Sequence, residues 1–274
     1  MNNSGKKISV ISGIYNCEST LSDAVRSIQN QTYTNWELIL CDDASSDRTL
    51  EIAEEYAKKD PRIKVIRNQN NCGLNKTLNH CLMYADGDYI ARMDGDDICD
   101  PRRFEKQILD LESQDQYRIC SSAMFFFDEN GTWGRNAVIE YPTKEDVVTK
   151  TTICHAPVMI ARECMDAVNG YSEDPKTLRV EDVDLWIRLY ALGYQCHNLQ
   201  EPLYGMRNDQ NALNRRKYKY RINSTRVRLR GCKMLQLSWT CYIKALEPIV
   251  VGLVPAVLRS KITRFMWGRK GKNI

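Results

Sequence analysis

From residue 8 to residue 113 the chain repeats one unit four times: an apolar run of strand length, then a segment with helical spacing of apolar residues. The runs are 8–14, 36–41, 63–67 and 89–93. The helical segments are 19–31, 47–59, 73–85 and 101–113, the last opening on Pro101, a residue suited to a first helical turn. Helices alternating with buried strands force crossover connections. The expected fold is therefore α/β, with a mostly parallel central sheet flanked by helices. Ligands of such sheets sit beyond the carboxyl ends of the strands. After residue 113 the alternation stops. Residues 119–127 and 155–161 read as strands, 131–142 as a hairpin or irregular stretch, and 180–192 as a helix ending near Gly193. Residues 195–199 and 202–207 read as two short closing strands, and from Asn211 a helical pattern continues, interrupted at Pro248 and Pro255.

Length and charge divide the chain at nearly one place. Its 274 residues suffice for one large domain with an appendage, expected as a body over 1–207 and a basic helical C-terminal extension over 208–274. Residues 1–206 hold 22 Lys and Arg against 33 Asp and Glu, whereas residues 207–274 hold 17 against 2. A catalytic body followed by a tail that meets an anionic surface fits that split. The 11 cysteines include no C-x-x-C pair, which argues against a zinc site, and their scatter suits a reducing cytosol better than a disulfide scaffold. The polar start, Met1 to Lys7, shows no secretory pattern.

The chemistry-bearing residues gather where the sheet would bind a ligand. The first strand runs out into Tyr15-Asn16, the second into Asp42-Asp43-Ala44-Ser45, and the fourth into Arg92-Met93-Asp94-Gly95-Asp96-Asp97. Three carboxylates in four residues repel one another unless a cation or solvent intervenes, and their oxygens suit Mg²⁺ or Mn²⁺. Taken alone, such a string is more often a solvated turn. An EF-hand loop starting at Asp94 is excluded, because Ile98 and Cys99 stand where an acid or Asn and then Gly are required. Asp42-Asp43 reads either as a nucleobase contact or as a cap for the helix over 47–59. Arg92 reads either as a phosphate ligand or as a partner of a neighbouring Asp. Downstream, Glu181-Asp182-Val183-Asp184 opens a helix, where acids favour the dipole. Asp184 and Arg188 are spaced for a surface pair, and one of the acids can instead serve as a general base. His155 opens an apolar run and reads as a ligand or as a structural histidine.

Taken together, these stretches resemble family 2 glycosyltransferases of the bacterial surface-polysaccharide type. The resemblance is carried by residues 8–16, 27–33, 36–45, 71–74, 87–97, 155–159 and 181–186, in that order and spacing, and covers roughly residues 6–207. It implies a GT-A fold, with a nucleotide-binding half at about 6–115 and an acceptor half at about 116–207. It implies inverting single-displacement transfer from a nucleotide-diphosphate sugar, usually a UDP-sugar. In this chain it assigns Asp43 to the base, Tyr15 and Asn16 to the nucleotide and Arg92 to the diphosphate. Asp94 and Asp96 become the D-x-D element that holds the divalent metal, Asp182 the catalytic base, and His155 a position near acceptor or metal. Gly95 departs from the Ala or Ser common there, a change expected to leave the carboxylates undisturbed. A nucleotidyltransferase is disfavoured, since Tyr15-Asn16-Cys17-Glu18 is no Gly-rich phosphate loop. A binding protein on the same fold, without turnover, is the alternative.

The tail falls outside the strong resemblance. Its apolar run at 249–258 is too short to span a bilayer and holds Pro255. A basic, aromatic-bearing segment with Tyr242, Phe265 and Trp267 instead suits an anionic membrane surface, as an enzyme with a lipid-linked glycan acceptor requires. That reading places the protein in the cytoplasm, peripheral at the inner face of the membrane. Packing on the acidic body is the competing reading. Nucleic acid would suit the basic stripe but leaves the acidic rim unexplained.

Overall fold

The computed structural model describes residues 5–150, 152–207 and 218–253. Strands β1 (Ile8–Ile14), β2 (Trp36–Asp42), β3 (Ile63–Arg67) and β4 (Tyr89–Arg92) are parallel, in the spatial order β3-β2-β1-β4. Helices α1 (Leu21–Gln29), α2 (Thr49–Lys59) and α3 (Leu74–Leu82) make the crossovers. β1, β2 and β4 are buried along almost their whole length, which is why each reads as an unbroken apolar run rather than an alternation. The helices start one or two residues inside the expected limits; α1 and α3 also stop two or three residues early, whereas α2 stops at the expected residue.

Beyond β4 the sheet becomes mixed. The rest of the chain contributes β5 (Ile98–Cys99), α4 (Arg103–Ser113), β6 (Tyr117–Asp128), β7 (Gly131–Arg135), α5 (Lys144–Thr149), β8 (Met159–Ala161), α6 (Arg162–Ala167), α7 (Glu181–Ala191) and β9 (Gln195–Arg207). β8 inserts antiparallel between β4 and β6, β9 runs parallel to β6, and β5 pairs antiparallel with the far edge of β9. Of the stretch expected as a hairpin or irregular, residues 131–135 form β7, which pairs back on β6, and the rest is irregular up to α5, which six residues of sequence pattern did not reveal. Two expectations are corrected. Residues 155–158 form a turn, closed by the Val158 N–H donating to the His155 carbonyl, so the strand begins only at Met159. The two closing strands are one, β9, whose register slips opposite Ser122 and Ala123 where Pro202 interrupts the ladder.

In the C-terminal part, α8 (Tyr218–Met234), α9 (Trp239–Ala245) and α10 (Glu247–Leu253) follow one another. The interruption expected at Pro248 falls at Leu246, between α9 and α10, and Pro248 sits in the first turn of α10, where a missing N–H costs nothing; Pro255 lies outside the described residues. Helix α8 packs on α7 and α5 through buried charge. Asp184 of α7 is wholly buried; it accepts from Arg188 Nε at 2.8 Å and from Arg230 of α8. The i,i+4 pair foreseen at the surface is thus an interior clasp. Removing the carboxylate leaves part-buried Arg188 without its ionic partner. Asp184→Ala is expected to lower stability by about 3 kcal/mol, read as a shifted midpoint in urea unfolding.

Candidate active site

The carboxyl ends of β1, β2 and β4 form one polar rim, and each loop is braced by its neighbour. Asn16 adopts the left-handed backbone region at φ 48°, which Asn tolerates better than most residues. Its N–H donates to Ser45 Oγ (3.1 Å) and its Oδ1 accepts from the Ser46 N–H (2.9 Å). Asn16 therefore joins the β1 and β2 loops, and the exposed Tyr15 ring stands on the rim beside it. Asp42 is wholly buried and accepts from the Ser45 N–H. Asp43 does not cap α2. One of its oxygens accepts from the Cys72 N–H (2.8 Å) and Asn68 Nδ2 (2.8 Å), and the other from the Gly73 N–H (2.9 Å). Gly73 at φ 84° allows the chain to turn its N–H toward that carboxylate before α3 begins.

The acidic turn Asp94–Asp97 connects β4 to β5 and is held from three sides. Buried Arg92 donates through Nη2 to Asp94 Oδ1 at 2.5 Å, the pairing reading of the two considered, while its Nε has no protein partner. Burial opposes the Arg92 charge, but Asp94, Tyr204, Tyr171 and Asp97 outweigh it and raise its pKa above the ordinary arginine value. The wholly buried Tyr204 of β9 accepts from the Asp94 N–H (3.1 Å) and hydrogen-bonds Asp97. Arg207, at the end of β9, donates its N–H to Asp97 Oδ1 (2.7 Å) and its Nε to the Asp96 carbonyl (2.9 Å). Asp97 is buried, and burial together with Asp94 and Asp96 pushes its pKa up to about 8. It braces the turn, whereas Asp94 is part-exposed and Asp96 exposed on the rim. Gly95 is not indifferent here: a Cβ would come within 2.9 Å of Cys17 Sγ and 3.0 Å of Ile14 Cγ2. Glycine is what that close approach allows.

The second acidic site faces the same charge. Asp182 and Glu181 start α7; Asp182 is half-buried and Glu181 buried, with Glu181 Oε2 lacking a partner. Burial raises both pKa values, and the nearby Arg92 guanidinium pulls both back. Tyr171 bridges the two sites: its phenol feels Arg92, Glu181, Asp182 and Asp94, and its hydroxyl lies 2.9 Å from His155 Nε2. Burial and Arg92 lower the His155 pKa well below its usual value, so the ring is neutral near pH 7. Among the described residues, no three His, Cys, Asp or Glu side chains converge as a cage for a metal ion. Mg²⁺ needs no such cage, since it is usually held by one or two carboxylates completed by substrate phosphates. Asp94 and Asp96 are hard oxygen donors of that kind.

The sequence matches the family model for glycosyl transferase family 2 over residues 9–164. The chain belongs to that family. EpsE of Bacillus subtilis, named as a glycosyltransferase, is 43% identical over 260 residues, covering 94% of each chain. The fold matches S. aureus TarS 1-349, solved in complex with UDP-GlcNAc, with a TM-score of 0.71 at 18% identity over 89% of this chain and 71% of that one. It also matches the mannosyltransferase PcManGT from Pyrobaculum calidifontis, solved with GDP-Man and Mn²⁺, with a TM-score of 0.64 at 13% identity over 95% of this chain and 80% of that one. The expected GT-A fold is thus present in this family 2 glycosyltransferase.

Sequence reading missed the braces: Tyr171, Tyr204, Arg207 and the buried Arg103, which donates to the Arg92 and Val158 carbonyls. Each is remote in sequence from what it holds, so spacing carried no signal. Tyr204→Phe removes the acceptor of a buried N–H and a partner of Asp97. The expected loss is about 1–2 kcal/mol, measured by chemical unfolding.

Proposed function

We propose that this glycosyltransferase moves a sugar from a nucleotide diphosphate, with UDP as carrier, to a lipid-linked glycan acceptor of bacterial surface-polysaccharide assembly, inverting the anomeric carbon in a single displacement. The observation that carries the reading is that Arg92 lies within electrostatic reach of both the acidic turn and Asp182, so acids from β4 and α7 face one site. The solved relatives with UDP-GlcNAc and with GDP-Man support a nucleotide-sugar donor. On this reading residues 1–207 are the catalytic unit, divided near 115 into donor and acceptor halves, and 208–274 an extension.

Each residue then has a stated task. Tyr15, Asn16 and Asp43 line the nucleotide side, with Asp43 taking a base N–H. Arg92 presents its guanidinium to the diphosphate. Asp94 and Asp96 hold a divalent cation, Mn²⁺ or Mg²⁺, which when bound neutralises charge on the diphosphate leaving group. The Mn²⁺ in the PcManGT structure supports that assignment. Asp182 takes the proton from the attacking acceptor hydroxyl; burial raises its pKa, which makes it a stronger base than a free carboxylate. Asp184 is excluded from that task by its two arginine partners. Neutral His155, held by Tyr171, stands on the acceptor side. The basic extension supports contact with an anionic membrane surface at the cytoplasmic face, where a lipid-linked acceptor is presented. No helix among the described residues is long and apolar enough to cross a membrane.

Asp182→Asn should reduce transfer by roughly 10²–10⁴-fold with a nearly unchanged melting temperature. Transfer at the normal rate would refute the base assignment. Chelating divalent cations should abolish the thermal shift caused by a UDP-sugar. A shift with no product under any acceptor would favour a binding protein instead.

A further inference from the structure

We propose that the outward face of α9 and α10 is a docking surface for an anionic lipid bilayer. Its purpose, though not its existence, rests on the lipid-linked acceptor reading above. The two helices present their large apolar residues the wrong way for a helix packed on a protein core. Cys241 and Ala245, both small, are wholly buried against the body. On the opposite side Trp239 is 72%, Ile243 58% and Val250 61% exposed, with Leu246 between them also exposed. The spacing 239, 243, 246, 250 is that of one helical stripe. The stripe crosses the junction intact, because Leu246 keeps a right-handed helical backbone and its carbonyl accepts from the Val250 N–H.

Charge identifies the occupant. Residues 207–274 carry 17 Lys and Arg against 2 acids. Exposed Lys233 and Lys244 lie on the helices that bear or adjoin the stripe, and the sequence from Arg259 to Lys272 adds six cations and no acid. A second copy of this chain would set like charge against like. A nucleic acid would satisfy the cations but offers nothing to an aliphatic stripe. An anionic bilayer satisfies both, with acyl chains for Ile243, Leu246 and Val250 and phosphates for the cations. Trp239 and Tyr242 are the amphipathic rings that settle at headgroup level. The face is also tied to the chemistry. α9 follows α8 across the turn at residues 235–238, and Arg230 of α8 pairs with Asp184, two residues from Asp182. Docking α9 therefore fixes how the acceptor side meets the membrane.

The test is pelleting of the full chain with vesicles of phosphatidylcholine alone and of phosphatidylcholine containing phosphatidylglycerol. Binding is expected only with the anionic vesicles, weakening as salt rises. The double variant Ile243→Ser/Val250→Ser should lower the bound-to-free ratio at least tenfold, with unchanged melting temperature and unchanged UDP-sugar thermal shift. The proposal is overturned if the wild type ignores anionic vesicles or if the double variant pellets equally well. It is also overturned if the substitutions halve the sedimentation mass, which would assign the face to a second copy. Failure of the transferase reading would appear separately, as absent donor binding and transfer, with pelleting intact.

Discussion

One buried guanidinium organises this molecule's polar interior. Arg92 ends a strand in the middle of the sheet, where a cation is costly unless paired. Asp94 supplies the direct pair, and the surrounding acids and phenols keep the charge on. That charge in turn lowers the His155 pKa and restrains the upward shifts of Glu181 and Asp182. The acidic turn after β4 and the acids that open α7 therefore share one electrostatic centre, although they lie far apart in the chain.

Around that centre the environment sorts residues of one chemical type into different tasks. Asp42, Asp97 and Asp184 are buried and take their partners from within the protein: a loop N–H, the end of β9, and two arginines. Asp94, Asp96 and Asp182 keep solvent access. The same sorting applies to the basic tail, which answers to two masters. Buried Arg228 reaches the Thr149 carbonyl and the part-exposed Arg230 reaches Asp184, so part of the extension packs on the body as the competing sequence reading held. The apolar face of α9 and α10 turns outward.

The parallel half of the fold was legible because β1, β2 and β4 are buried along nearly their whole length and its helices on one side, leaving continuous and periodic patterns respectively. The acid-bearing rim followed from it, since the end of a strand is a sequence position. Short elements were not legible. β5 has two residues, too few for any period, yet it ties the acidic turn to β9. α5 and α6 have six each, and the His155 turn lies within an apolar run that reads as strand.

By itself the sequence determined the strand–helix alternation, the acids at strand ends and the charge divide near residue 207, because these depend on local pattern and counting. Only the tertiary structure decided which acid is buried and which keeps solvent access. Whether Asp94 meets Arg92, whether Asp184 is surface or core, and whether the Asp97 carboxyl is pushed above its usual range depend on burial and on partners brought together by the fold. Desolvation and pairing are properties of a place in space, and no residue carries them along the chain.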